Sequence, residues 1–144
     1  MHVRKTGGGT APAANLLPLR VLGAALLGAT AAIHLHLWWS GYRGIAWIGP
    51  LFLADAVLGA ALALAVLTAP ARWSPWVCTV GALFQLGTLG GLSLSVTVGL
   101  LGFVETWAAP WAVTSAVVEA LGCVVLSAVA GDQLVGSGHG GTRG

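Results

Sequence analysis

The sequence predicts an all-α membrane protein built as a bundle of four transmembrane helices. Three observations carry this. Four uninterrupted apolar runs, about 19–37, 48–67, 76–101 and 110–129, each reach the roughly 20 residues that a helix needs to cross about 30 Å of hydrocarbon. The chain of 144 residues is 57% hydrophobic and 7% charged, whereas a soluble domain carries about 25% charged residues. The connections between the runs are short and rich in Trp, Pro or polar residues, which leaves no room for a separate extramembrane domain. One membrane domain over 16–135 is therefore expected, flanked by Gly-rich flexible tails at 1–15 and 136–144.

The first span follows Arg4, Lys5 and Arg20, and Ala29-Thr30-Ala31 within it resembles a signal-peptidase site. The apolar run continues through Ile33, Leu35 and Leu37 into Trp38 and Trp39, so retention as a first helix is expected. Helical spacing puts Leu19, Leu22, Leu26, Ile33 and Leu37 on a lipid-facing side, with Ala24, Gly28 and Ala31 opposite and His34 and His36 at the borders. The second span opens at Pro50 and carries the ridge Asp55, Gly59 and Ala63 at intervals of four, which points Asp55 inward. The third aligns Cys78, Gly81, Gln85, Thr88 and Ser95 on one face, and its Gly90-Gly91 step suggests a tilt or bend. The fourth opens at Pro110 and carries the stripe Ser115, Glu119 and Cys123, which turns Glu119 inward as well.

Basic residues fix an expected orientation. Arg4, Lys5, Arg20, Arg72 and Arg143 lie on one side and only Arg43 on the other, so the positive-inside bias places both termini in the cytoplasm of a cell membrane. The outer loops then hold Trp38, Trp39, Tyr42, Trp47 and Trp107, rings that settle at headgroup level. Trp47-Ile-Gly-Pro50 and Trp107-Ala-Ala-Pro110 recur sixty residues apart, each followed by Ala-Val at the same offset, a pattern compatible with two related helical hairpins. Ala, Gly, Leu and Val dominate the chain, the usage of GC-rich coding DNA, which points to a prokaryote.

The polar residues inside the spans carry what chemistry the sequence offers. His34, Asp55, Gln85 and Glu119 each sit in a different run, where an ionisable group costs about 2.5–3.5 kcal/mol and normally faces the bundle interior. Counted from the outer ends at about 1.5 Å per residue, His34, Asp55 and Glu119 fall roughly 6, 10 and 13 Å deep. They share the outer half, with Gln85 nearer the middle and Glu105, Arg43 and Trp107 at the mouth. An outward-opening polar pocket with His34, His36, Asp55, Gln85, Glu119, Glu105, Arg43 and Trp107 as candidates is the expectation. Interhelical hydrogen bonding that serves assembly alone is the competing reading.

No catalytic motif of recognised spacing occurs, and no catalytic residue is assigned. His34, Asp55 and Glu119 could supply one imidazole and two carboxylates to a divalent metal, but the Glu-x-x-His pairs of bundle metal sites are missing. His34 and His36 point about 160° apart on a helix, so they do not share one ion. Bis-His haem needs histidines on facing helices, and the remaining ones lie in the tails. Cys78 and Cys123 form no CxxC pair and read as inert buried thiols. A net charge of +2 is too small for a nucleic-acid partner. The cofactor is left open.

The segment His34-Leu-His-Leu-Trp-Trp-Ser-Gly-Tyr-Arg-Gly-Ile-Ala-Trp-Ile-Gly-Pro-Leu-Phe-Leu53 resembles small, uncharacterised four-helix integral membrane proteins of high-GC bacteria, and the layout looks like the DoxX-type four-helix family. The resemblance implies an inner-membrane protein and supplies no site residues. A small accessory or scaffolding subunit is the expectation, its partners being the lipid bilayer and either copies of itself or a larger membrane complex. A membrane redox or metal- or quinone-binding enzyme component comes second, and a minimal oligomeric proton or ion transporter third.

Overall fold

A computed structural model describes residues 15–138 as four helices: α1 Leu17–Ser40, α2 Ile48–Thr68, α3 Ser74–Thr97 and α4 Ala112–Gly138. All four are long and apolar enough to cross a membrane. A single 3-10 turn, Tyr42–Gly44, interrupts the link from α1 to α2. The expected tails fall outside the described residues, apart from Asn15 and the last turn of α4.

Each helix starts and stops for a local reason. Pro18 and Pro75 sit in the first turns of α1 and α3, where a missing amide proton costs nothing. The Asn15 Oδ1 accepts from the Leu17 amide and replaces part of the lost bonding at that end. α3 stops at Thr97 rather than at 101, because Gly99 turns into the left-handed region (φ 87°) and its amide donates back to the Leu94 carbonyl at 2.9 Å. α4 begins at Ala112, two residues after the expected opening at Pro110, and its predecessor Trp111 takes φ 73°. Helical bonding runs through Gly90-Gly91 without interruption.

The helices run up and down in succession. Arg20 at the start of α1 bonds the carbonyls of Val66 and Ala69 at the end of α2, so these two are antiparallel. The 15–20, 69–73 and 131–138 segments therefore share one end, and the 41–47 and 98–111 connections share the other. Packing is most extensive within the pairs α1–α2 and α3–α4, intermediate between α1 and α4, and thinnest at the α2–α3 seam.

The two halves of the bundle differ in density. The core cluster of Ala24, Leu27, Val66, Cys78, Ala82, Leu126, Val129 and Ala130 fills the half nearest the chain ends. Glycines allow the close approach there: a methyl on Gly23 would come within 2.6 Å of a Leu126 methyl, and one on Gly81 within 3.1 Å. Leu27 carries more of this core than the small-residue face alone, and Ile33, expected against lipid, is buried. Elsewhere the helices present aliphatic side chains outward, among them Val57, Leu64, Leu83, Leu94 and Val124. A belt of that size marks a surface that meets lipid or other protein rather than water. The other half of the bundle is hollow.

Candidate functional site

Inside the loosely packed half lies a cavity of about 340 Å³. α1 contributes His34 and Leu37, α2 Ile48, Leu51, Phe52 and Asp55, and α4 Ala112, Ser115 and Glu119. The α3 wall sets the small residues Gly87, Thr88, Gly91 and Ser95 beside Phe84 and Leu92, and a methyl placed on Gly87 would meet nothing within 4 Å. Leu51 and Gly87, which flank the thin α2–α3 seam, line the cavity and are also exposed, so it reaches the lipid-facing surface there. Exposed Pro110 marks its other approach, at the loop end.

The floor is a three-helix polar contact. The His34 ring is buried, and its Nδ1 lies 2.9 Å from the Thr30 carbonyl one turn back. A carbonyl only accepts, so Nδ1 carries the proton and Nε2 is the nitrogen turned to the site. Nε2 lies 3.7 Å from the Asp55 Oδ2 and 3.9 Å from the Glu119 Oε1. The two carboxyl groups thus approach one nitrogen from α2 and α4. Glu119 is 1% exposed, and its Oε2 has no hydrogen-bond partner. Ser95, which also lines the cavity, leaves its buried Oγ unpartnered too.

The roof is aromatic and is tied by one strong bond. Tyr42, on the 3-10 turn, donates its hydroxyl proton to the Glu105 Oε2 at 2.6 Å, joining the two connections at this end. Its ring stacks on Phe52 at 4.9 Å and meets Phe103 edge-on at 5.7 Å, while Phe52 lies 5.1 Å from the His34 ring. Burial, reinforced by the hydrogen bond to Glu105 and by its charge, pushes the Tyr42 phenol up to about 12. Phe103 is held by a two-residue hairpin in which Leu100 and Phe103 exchange backbone bonds of 2.7 and 2.8 Å. Leu101 and Gly102 both take positive φ, as such a turn requires.

Of the residues singled out from sequence, His34, Asp55, Glu119 and Glu105 meet in this cavity, and Gln85, His36, Arg43 and Trp107 do not line it. Gln85 is fully buried beside it and works as a clasp: its Oε1 accepts from the Thr30 hydroxyl at 3.0 Å, and its amide fills the space over Gly122. His36 is exposed on the outer face of α1, near Ser40 and the edge of Trp111. Arg43 is exposed and lies over the Trp39 ring at 5.7 Å. Trp107 is half exposed on the surface loop. The metal candidates His34, Asp55 and Glu119 come together, yet among the described residues no three His, Cys, Asp or Glu side chains are spaced to hold an ion.

Sequence reasoning missed the aromatic lining. The three phenylalanines of the chain, Phe52, Phe84 and Phe103, and its single tyrosine all line this one cavity. Their scarcity beside seven tryptophans was the available signal.

No protein-family model, curated protein or solved structure matches the chain. These comparisons do not bear on the resemblance expected for residues 34–53.

The two carboxyl-bearing helices enter the site in the same way. Trp47 (φ 66°) immediately precedes α2 and Trp111 (φ 73°) immediately precedes α4, and in each case the carboxylate, Asp55 or Glu119, follows eight residues later. This spacing recurs at an offset of sixty-four residues, beside the sixty of the Trp-x-x-Pro pattern.

Proposed function

We propose that this chain is a multi-pass protein of the cell membrane, with both termini cytoplasmic, whose bundle holds a small amphipathic ligand in the half facing away from the cytoplasm. The observation that carries the reading is a buried carboxylate oxygen of Glu119, left without a partner, in a mostly apolar cavity of about 340 Å³. A burial of that kind is costly, and a ligand that pairs with this oxygen would offset the cost. Pockets of this size with a few convergent polar groups are the usual form of a small-molecule site. The accessory-subunit expectation and the cavity are compatible: a subunit that presents or protects a bound molecule for a larger complex needs no catalytic motif.

Solvent extraction of the detergent-purified protein, followed by mass spectrometry, tests this. One amphipathic molecule near equimolar with wild type, and lost from a cavity-filling Gly91→Phe variant, is the expected result. Its absence from wild type, together with no thermal stabilisation by cationic, neutral or anionic amphiphiles, sinks the reading.

A second reading is favoured by one contact. His34 Nε2, within 4 Å of two carboxyl groups, is placed to exchange a proton with either. A minimal carrier that moves a proton against its ligand, assembled from several copies, would use that contact. Proton uptake by sealed vesicles on ligand addition, abolished by His34→Gln, distinguishes it from simple storage.

A further inference from the structure

We infer that the occupant of the cavity is a monovalent organic cation, an amine or quaternary ammonium on an apolar body. This rests on the ligand-binding reading above and names the class of molecule. The charge distribution is one-sided. Of the four acidic residues in the chain, Asp55, Glu105 and Glu119 line the cavity, and among the described residues no lysine or arginine does. His34 is the one basic side chain among the described residues that line it. Asp55 and Glu119 converge on the His34 ring with no lysine or arginine beside them among the described residues, and a monocation supplies the charge partner that this floor lacks. Glu119 Oε2, buried and unpartnered, marks where its head would lie.

The walls fit the same class. Tyr42, Phe52, Phe84 and Phe103 gather every non-tryptophan aromatic ring of the chain around this space. Ring faces attract cations, most effectively where water is excluded, and cages of such rings are a general solution for quaternary ammonium groups. Gly87, Thr88 and Gly91 on α3 leave room for an apolar body, and the opening at Leu51 and Gly87 lets it enter from the acyl region. A neutral quinone would use the apolar walls but leave the clustered carboxyl groups without a charge partner. An anionic lipid would be repelled by them.

The test compares ions of one shape and opposite charge on the full chain in a neutral detergent, by equilibrium dialysis. Tetraphenylphosphonium should bind wild type saturably. Tetraphenylborate, its near-isostere, should partition equally into samples of wild type and Gly91→Phe. Asp55→Asn and Glu119→Gln, checked for fold by circular dichroism, should each weaken phosphonium binding by about tenfold or more, the value of a desolvated charge pair. The comparison of the two ions on wild type stands even where a variant does not fold. Equal saturable binding of both ions, or saturable binding of decyl-ubiquinone without phosphonium binding, overturns the cation assignment and leaves the ligand cavity in place. No saturable binding of any of the three probes removes both.

Discussion

Tyr42 is the residue that closes the site, and the chain offers an unusually direct way to observe it. It is the only tyrosine, so a phenolate signal in ultraviolet absorbance belongs to it alone. Its pKa is raised to about 12 from 10.0, with burial the largest cause and the hydrogen bond to Glu105 next. The raised value means that folding favours the protonated phenol. The stability it adds is fully present below pH 10 and is lost as the pH rises through about 12. The titration should therefore centre near 12 in the folded protein and fall towards 10 in Glu105→Gln, which removes the charge on its partner. A midpoint near 10 in wild type would show that the roof is open. Gln85 supports a second expectation. Its amide packs onto Gly122, where an added methyl has no space, so Gly122→Ala should lower stability by about 1–3 kcal/mol in detergent unfolding. The residue-level pattern was half legible in the sequence. Intramembrane cost alone singled out His34, Asp55, Gln85 and Glu119, but it could not separate a clasp from a wall, because Gln85 and Thr88 share one α3 face and only the position of Gly122 decides which way the amide goes.

At the scale of elements, two ends repay attention. Arg20 donates to the Val66 carbonyl at 2.6 and 3.2 Å and to the Ala69 carbonyl at 3.1 Å, covering the free carbonyls that end α2. A guanidinium there also opposes the negative end of the helix dipole. Arg20→Gln keeps length and polarity but loses the charge and the fork, so thermal unfolding should report a loss of about 2 kcal/mol. At the opposite end, Gly49 lies against the 3-10 turn. A methyl on Gly49 would come within 2.6 Å of the Arg43 carbonyl oxygen and 2.9 Å of that of Tyr42. Gly49→Ala should lift the turn and separate Tyr42 from Glu105, which the tyrosine titration would register as a downward shift without loss of helix. The four spans themselves were read correctly from apolar length. The end of the third and the start of the fourth were not, because Gly99 and Trp111 stop and start helices through backbone conformation, which hydropathy does not carry. For the same reason hydropathy did not show that Trp111 precedes α4 with the same positive φ with which Trp47 precedes α2.

For the whole molecule, the division into a packed half and a hollow half makes orientation matter, since it decides which compartment the cavity lies nearest. The positive-inside reading counts Arg4, Lys5, Arg20, Arg72 and Arg143 against Arg43. Arg20 is already engaged with α2, but Arg72 in the exposed 69–73 turn keeps the bias at that end. Single cysteines at Gly44 and Ala108, both exposed in the loops beside the cavity, should react with an impermeant maleimide added to intact cells. One at Arg72 should react only after the cells are opened. Cys78 is buried and Cys123 half-buried in spans, so the native background is low. The two possible failures mean different things. Labelling of 44 and 108 from opposite sides would break the four-helix fold, because an up-and-down bundle must bring both connections to one face. Labelling of 72 alone from outside would leave the fold untouched and turn the cavity towards the cytoplasm, where it would draw its cation from the cell interior.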